Sequence, residues 1–314
     1  MMLKYAIAVD LGGTQVRAAI VDSDGRILER EQVLTDARSG PEAVVKQIDR
    51  LVKSISAKAG DTEILGVGVS SPGPLDTEKG IALSLPTITG FSEFALGEAL
   101  RSRILYPVVL ENDGIAAAIG EWRFGAGVGF SNVVYVTVST GIGGGVIVDG
   151  RVMRGRRGMA GHVGHMIVVP DGEVCGCGTK GCFEAYGAGP AFTARARKMV
   201  AGNGTSTLAR DVNAITSHAV FSAAKAGDAQ ALDLVAEEAK ILGMGFSSLF
   251  HLFSPDVLIM GGGLSHEFEM LAPGINAQIQ LSAMPAFKSV PVVKAKLGGN
   301  SGLVGAASLV FMAV

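Results

Sequence analysis

The chain reads as an α/β protein built twice on one plan, and three observations predict this. Two stretches share an order of strand, glycine turn, strand, Asp-Gly turn, strand; segments of helical period separate and follow them; and several short apolar strands end abruptly in polar residues or glycines. The first stretch covers residues 5 to 28, turning at Gly12-Gly13 after Asp10 and again at Asp24-Gly25. Residues 133 to 153 repeat it, with Ser139-Thr140-Gly141-Ile142-Gly143 as the glycine turn and Asp149-Gly150 as the second turn. Any two antiparallel meanders alternate alike. Here the order of both turns matches as well, which favours a duplicated unit.

Between these stretches the period becomes helical. Residues 41 to 58 place Val44, Ile48, Leu51, Val52 and Ile55 along one face, and Pro41 suits a first helical turn, so an amphipathic helix is expected to lie on a sheet. A strand follows over Ile64 to Val69 and ends in Ser70-Ser71-Pro72-Gly73-Pro74. Another over Val108 to Leu110 ends in Glu111-Asn112-Asp113. In open α/β sheets ligands gather at such strand ends. Helical segments are expected over residues 114 to 122, 186 to 202, 208 to 226 and 228 to 252, before a strand from Val257 to Met260 runs into Gly261-Gly262-Gly263.

At 314 residues the chain has room for two domains or for one duplicated. Hydrophobic residues make up 48%, charged residues 18%, and the formal charge is −2, which gives no attraction to nucleic acid or to an anionic membrane. The apolar opening meets Asp10 too early for a signal peptide, and no run approaches the roughly 20 apolar residues of a membrane span. A cytoplasmic protein with reduced thiols is expected.

All three cysteines fall within eight positions, as Cys175, Cys177 and Cys182, ten residues or so after His165. Glycines between them let the backbone turn tightly around an ion, and three thiolates with one imidazole make a tetrahedral zinc site the natural reading. A disulfide with one spare thiol, or three buried thiols beside an unrelated histidine, suits an odd count in so tight a turn less well. Four protein ligands leave no open position, so the metal would be structural.

Asp10-Leu-Gly12-Gly13-Thr14 puts a carboxylate beside two glycines and a hydroxyl. Glycines let backbone amides approach phosphate oxygens, and the aspartate suits a magnesium ion held through water. Thr140, Gly141 and Gly143 form a second such turn. One glycine hairpin alone often merely connects strands. Two on a duplicated scaffold, with a third run at Gly261 to Gly263, favour a nucleotide bound in a cleft between two lobes. No Gly-x-x-x-x-Gly-Lys-Ser/Thr motif is present, so this is not a P-loop protein.

Over nearly its whole length the chain resembles the ROK family of bacterial sugar kinases. Asp10 to Thr14 is similar to the family's first phosphate motif, Glu111-Asn112-Asp113 to its sugar and catalytic motif, Ser139 to Gly145 to its second phosphate motif, His165 to Glu184 to its zinc signature, and Gly261 to Gly263 to its adenosine motif. The resemblance implies the duplicated actin-like, ribonuclease-H-like fold: a small lobe over residues 1–114, completed by a C-terminal helix over 300–314, and a large lobe over 115–299 carrying the zinc motif. It implies ATP with magnesium as donor and a hexose phosphorylated at its 6-hydroxyl. Asp113 is then the base that takes the hydroxyl proton, though an Asn-Asp pair that merely caps a helix is a common use of both residues. Sugar contacts are implied at Gly73, Thr87, Asn112, Asp113, His162, His165 and Glu184. Nucleotide contacts are implied at Asp10, Gly12, Gly13, Thr14, Thr140, Gly141, Gly143, Gly262 and Gly263. A homodimer or larger homo-oligomer is expected.

Two positions depart from the family's pattern. His162-Val163-Gly164-His165 stands where most of its sugar kinases carry Glu-x-Gly-His, which is similar to bacterial N-acetylmannosamine kinases and makes an N-acylhexosamine the alternative to glucose. Thr87 replaces an asparagine that commonly touches the sugar. The family also includes transcriptional repressors, which carry a helix-turn-helix domain ahead of the first phosphate motif. That motif begins here at Asp10, which disfavours a repressor. A binding protein on a dead kinase fold is disfavoured by the presence of Asp10, Asn112 and Asp113.

Overall fold

The computed structural model describes residues 3–60, 62–85, 88–202 and 205–313, leaving aside the side chain of Arg210. In chain order it runs β1 (Tyr5–Leu11), β2 (Gln15–Asp22), β3 (Ile27–Leu34), α1 (Pro41–Ser56), β4 (Ile64–Ser71), β5 (Leu75–Asp76), β6 (Ile81–Ser84), β7 (Ser92–Phe94), α2 (Leu96–Arg101), β8 (Val108–Asn112) and α3 (Asp113–Phe124). Then come β9 (Val133–Val138), β10 (Ile142–Val148), β11 (Arg151–Val152), α4 (Glu184–Gly187), α5 (Gly189–Gly202), α6 (Ser217–Lys225), α7 (Ala229–Phe253), β12 (Val257–Gly261), α8 (Phe268–Ser282), β13 (Val292–Lys294) and α9 (Ser301–Ala313). The chain divides into two compact units. One holds the described residues up to Ser131, Gly145–Gly161 and those from Lys296 onward; the other holds Asn132–Gly144 and His162–Ala295.

In the first unit a five-stranded sheet has the order β3-β2-β1-β4-β8. β1 to β3 form the antiparallel meander, and β1, β4 and β8 run parallel. Alternation along β1 sorts its side chains by size. Ile7, Val9 and Leu11 join Val44, Ile48, Val52 and Ile55 of α1 in one core, while Ala6 and Ala8 face Leu303, Ala306 and Ala307 of α9 in another. The small residues let α9 lie close. A Cβ on Gly305 would come within 1.7 Å of the Ala116 carbonyl oxygen, so α9 meets α3 almost backbone to backbone. β5, β6 and β7 form a separate three-stranded sheet.

A second five-stranded sheet has the order β11-β10-β9-β12-β13, the same pattern of chain order as the first. β9, β12 and β13 are parallel, as β1, β4 and β8 are, and the chain passes from one compact unit to the other within β10. The second unit buries Phe183, Phe192, Phe221, Phe246 and Phe250 completely.

The helical expectation over residues 208 to 226 needs correction, because only Ser217–Lys225 is α-helical. Two short 3-10 turns precede it, and Ser206, Asp211 and Thr216 each accept a backbone N–H of the following turn, restarting the chain three times. Among the described residues no helix is long and apolar enough to cross a membrane.

Candidate active site and metal centre

In the first unit the parallel strands β1, β4 and β8 deliver Asp10, Ser70 and Asn112 to the same edge of the sheet, since Asp10 pairs in register with Ser70 and Ser71 with Asn112. Asp10 is held on both sides. Arg17 donates to its Oδ2 from Nε at 3.1 Å and also from Nη2, and the Ser70 hydroxyl donates to Oδ1. Arg17 reaches on to the carbonyl of Gly299 at 2.6 Å. Gly12, Gly13 and Thr14 make the turn into β2, which Thr35 secures by donating its hydroxyl to the Gly12 carbonyl and its N–H to that of Thr14, at 2.6 and 2.9 Å. Gly73 follows β4 and is half-buried. Thr87 lies outside the described residues.

Asn112 and Asp113 stand at the junction of β8 and α3. Asn112 caps the helix, its Oδ1 accepting the N–H of Gly114 at 3.0 Å and of Ile115 at 3.4 Å. Asp113 is the first helical residue and accepts the Gly114 N–H at 2.7 Å. Desolvation pushes its pKa up to about 6; the Gly114 N–H pulls the other way and the negative charge of Asp10 adds to the rise. Asp113 is itself exposed while the residues on both sides of it are buried, so protein crowds its carboxyl without shutting it off from solvent. A carboxylate lifted to this range is ionised at neutral pH and still basic enough to take a proton.

The residue before them is buried. Glu111 is 2% exposed; burial raises its pKa, and Arg154, whose Nε donates to Oε2 at 3.0 Å, opposes that rise. Glu121 is also fully buried and takes four donors, from Ala126 N, Lys296 N, Leu297 N and Ser301 Oγ, between 2.8 and 3.0 Å. It ties the end of α3 to the start of α9. Neither Glu121 nor Thr35 was singled out by sequence motifs, because their partners lie far away in the chain.

In the second unit the two remaining glycine turns come together. Gly262 has φ of 82°, and a Cβ there would lie 2.5 Å from the Val138 carbonyl oxygen, so only glycine lets the end of β12 settle on the end of β9. Ser139 closes its own turn by donating to the Gly141 carbonyl at 2.9 Å, leaving Thr140 exposed at the tip. Gly143 continues into β10, and Gly263 opens a short 3-10 turn after β12.

The thiols lie beside these turns. His165, Cys175, Cys177 and Cys182 place their ligand atoms within 4.8 Å of one another. Cys177 Sγ is 3.7 Å from Cys182 Sγ, and Cys175 Sγ is 3.7 Å from His165 Nδ1. Sulfurs about 2.3 Å from a tetrahedral zinc would stand about 3.7 Å apart, so the cluster has the size of a zinc shell, whereas no pair is at disulfide distance. Burial pushes the Cys175 thiol up to about 12 and raises Cys182, while the Thr179 N–H draws Cys177 down to about 7. A divalent cation reverses such a rise by favouring the thiolates. Gly164 makes the histidine reachable, since a Cβ there would meet the Ile142 carbonyl at 2.0 Å. The half-buried His162 stacks on His165, ring centroids 6.3 Å apart at 23°. Glu184 joins the glycine turn to the thiol cluster: Oε2 accepts the Ile142 N–H at 2.8 Å, and Oε1 lies 3.5 Å from Cys175 Sγ.

A protein-family model described as ROK family matches residues 6–312. The glucokinase of Streptomyces coelicolor is 37% identical over 313 residues, covering 96% of both chains. The N-acetylmannosamine kinase of Citrobacter koseri is 34% identical over 305 residues, covering 96% of this chain and 97% of the relative. Among solved structures, a ROK family glucokinase from Streptomyces griseus in complex with glucose and AMPPNP has a TM-score of 0.85 at 36% identity, covering 97% of this chain and 98% of that one. With two sheets of one strand order and matches along nearly its whole length, the chain belongs to the ROK family and has its actin-like duplicated α/β fold.

Proposed function

We propose that this protein is an ATP-dependent hexose kinase that transfers the γ-phosphoryl group to the 6-hydroxyl of glucose or a related hexose. The observation that carries the reading is Asp113: a crowded carboxylate, lifted to about 6, at the strand end beside Asn112 and in the field of Asp10. Phosphoryl transfer asks little covalent chemistry of a protein beyond positioning, charge stabilisation and a base for the attacking hydroxyl. Asp113 accepts that proton while Asn112, Gly73, Thr87, His162, His165 and Glu184 hold the sugar. The backbone at Gly12 to Thr14, Thr140 to Gly143 and Gly262-Gly263 receives the nucleotide. Magnesium, arriving with ATP, would supply positive charge for the phosphates, and Asp10 is the residue that would hold it.

His165, Cys175, Cys177 and Cys182 fit a structural zinc, which supplies a cross-link rather than chemistry. Nothing in the donor set suits a hard cation such as magnesium. A second reading takes an N-acylhexosamine as acceptor, and His162 favours it: a neutral imidazole offers one donor and one acceptor where a glutamate only accepts. Assembly as a homodimer or larger homo-oligomer in the cytoplasm completes the reading.

Initial rates with ATP and magnesium on glucose, mannose, N-acetylglucosamine and N-acetylmannosamine test it. Glucose is expected to give the highest specificity constant. N-acetylmannosamine leading would put the second reading first, and no turnover of any of the four would remove the proposal.

A further inference from the structure

The buried carboxylate of Glu111 divides its two oxygens between the active-site backbone and a single cation. Oε1 accepts the backbone N–H of Asn112 at 3.1 Å, and Oε2 accepts Nε of Arg154 at 3.0 Å. Glu111 is 2% exposed, and the side chain of Arg154 is 43% exposed. β8 is an edge strand, so no further strand supplies acceptors along its outer side. Asn112 in turn caps α3 through Gly114, and Asp113 accepts from the same Gly114 N–H. A single run of hydrogen bonds therefore leads from Arg154 through Glu111 and Asn112 to the carboxylate beside it.

We propose that Arg154 is a positioning residue for the acceptor side of the reaction, fixing Asn112 and Asp113 through Glu111 without touching substrate. This rests on the kinase reading above. Removing the guanidinium leaves Glu111 as a buried anion with no countercharge, so the carboxyl takes up a proton or turns to water, and Asn112 loses its charged acceptor. The loop that carries Arg154 has other anchors. Ala160 N donates to the Arg154 carbonyl at 2.9 Å, Thr77 N donates to that of Arg157 at 3.0 Å, and Arg157 Nε pairs with the buried Asp76 at 3.2 Å. Loss of the Arg154 side chain thus frees Glu111 without freeing the loop.

The two members of the pair are unequal, and the test uses that. Glu111→Gln keeps an acceptor for the Asn112 N–H and releases an arginine that water already reaches, whereas Arg154→Met strands a buried charge. Kinetic constants for glucose and for ATP are measured in wild type, Arg154→Met, Arg154→Lys, Glu111→Gln and the double variant Glu111→Gln/Arg154→Met, with thermal unfolding as a check on folding. Arg154→Met should lower kcat/KM for the sugar by up to about 100-fold, the cost of misplacing a reacting group by an ångström or so, with little change in the KM for ATP. Arg154→Lys and Glu111→Gln should lose less, and the double variant, whose buried side chain is neutral, should recover most of the loss. A folded double variant as impaired as Arg154→Met would overturn the proposal, because it would place Arg154 on the substrate itself. So would an equal rise in both KM values, which marks general loosening. Should Arg154→Met fail to fold, the neutral double variant carries the comparison alone, and low activity in it has the same meaning. A wild type that phosphorylates no sugar removes the kinase reading together with this role; an active wild type without rescue removes only the role.

Discussion

Two sheets with one strand order carry different chemistry. At the ends of β1, β4 and β8 stand Asp10, Ser70 and Asn112, with Asp113 following, two carboxylates within each other's field. At the ends of β9 and β12 stand Ser139-Thr140-Gly141 and Gly261-Gly262-Gly263, turns that carry no carboxylate of their own and pack on one another, with Glu184 and a thiol cluster beside them. Duplication reproduced the scaffold, and the strand ends diverged. One copy gathers charge that is costly to crowd; the other gathers backbone and soft ligands. Chemistry is expected to fail when the first is altered, and binding and shape when the second is.

The sharpest way to break this contrast is Asp113→Asn, which keeps the acceptor for the Gly114 N–H and removes the base. Turnover should fall by about 10²- to 10⁴-fold with metal content unchanged. Near wild-type turnover would remove Asp113 from the chemistry. The sign for stability is opposite. The folded pKa lies near 6, above the ordinary 3.8, so ionisation of Asp113 disfavours the folded state, fully above pH 6 and not at all below about 3.8. Asp113→Asn should therefore unfold at an equal or higher temperature than wild type at pH 7, and lose that advantage at pH 3.

Cys182→Ser attacks the other unit. Its sulfur is fully buried in the cluster, so the variant should lose its zinc, measured by elemental analysis, together with glucose binding, while nucleotide binding by calorimetry persists. A metal-free wild type with full activity would show the thiols to be ordinary core residues.

The pH profile separates the units without a substitution. A base takes a proton only when ionised, so the role proposed for Asp113 predicts that kcat/KM falls by about tenfold per unit below pH 6 and levels off above it. An unchanged rate down to pH 5 would place the base elsewhere. The smallest effect is expected from His162→Glu, which exchanges a donor and an acceptor for acceptors alone; the preference for glucose over N-acetylmannosamine should rise by about tenfold. Equal ratios in both proteins would make His162 a bystander.

Much of this was legible because the informative patterns are local. Asp10 to Thr14, Ser139 to Gly143 and Gly261 to Gly263 are turns whose residues define them, and α1 follows from the spacing of Val44, Ile48, Val52 and Ile55. The helix expected over residues 208 to 226 went wrong because short caps at Ser206, Asp211 and Thr216 outcompete propensity. The sheet of β5, β6 and β7 has strands of two to four residues, too short to display a period.

The sequence by itself determined which residue types stand at each strand end, the grouping of thiols, and the family, since each of these is written in runs of a few residues. Tertiary structure alone decided which charges meet. Arg17 reaches Asp10 and Gly299, Arg154 finds Glu111, and Glu121 collects donors from the segment before α9. Apart from Arg17 and Asp10, which face each other across the β1–β2 hairpin, these partners are tens to hundreds of residues apart, and no periodicity links them. The same sequence that marks Asp113 as a carboxylate cannot say that desolvation and Asp10 lift its pKa, because the energy of a charge depends on what folding packs around it.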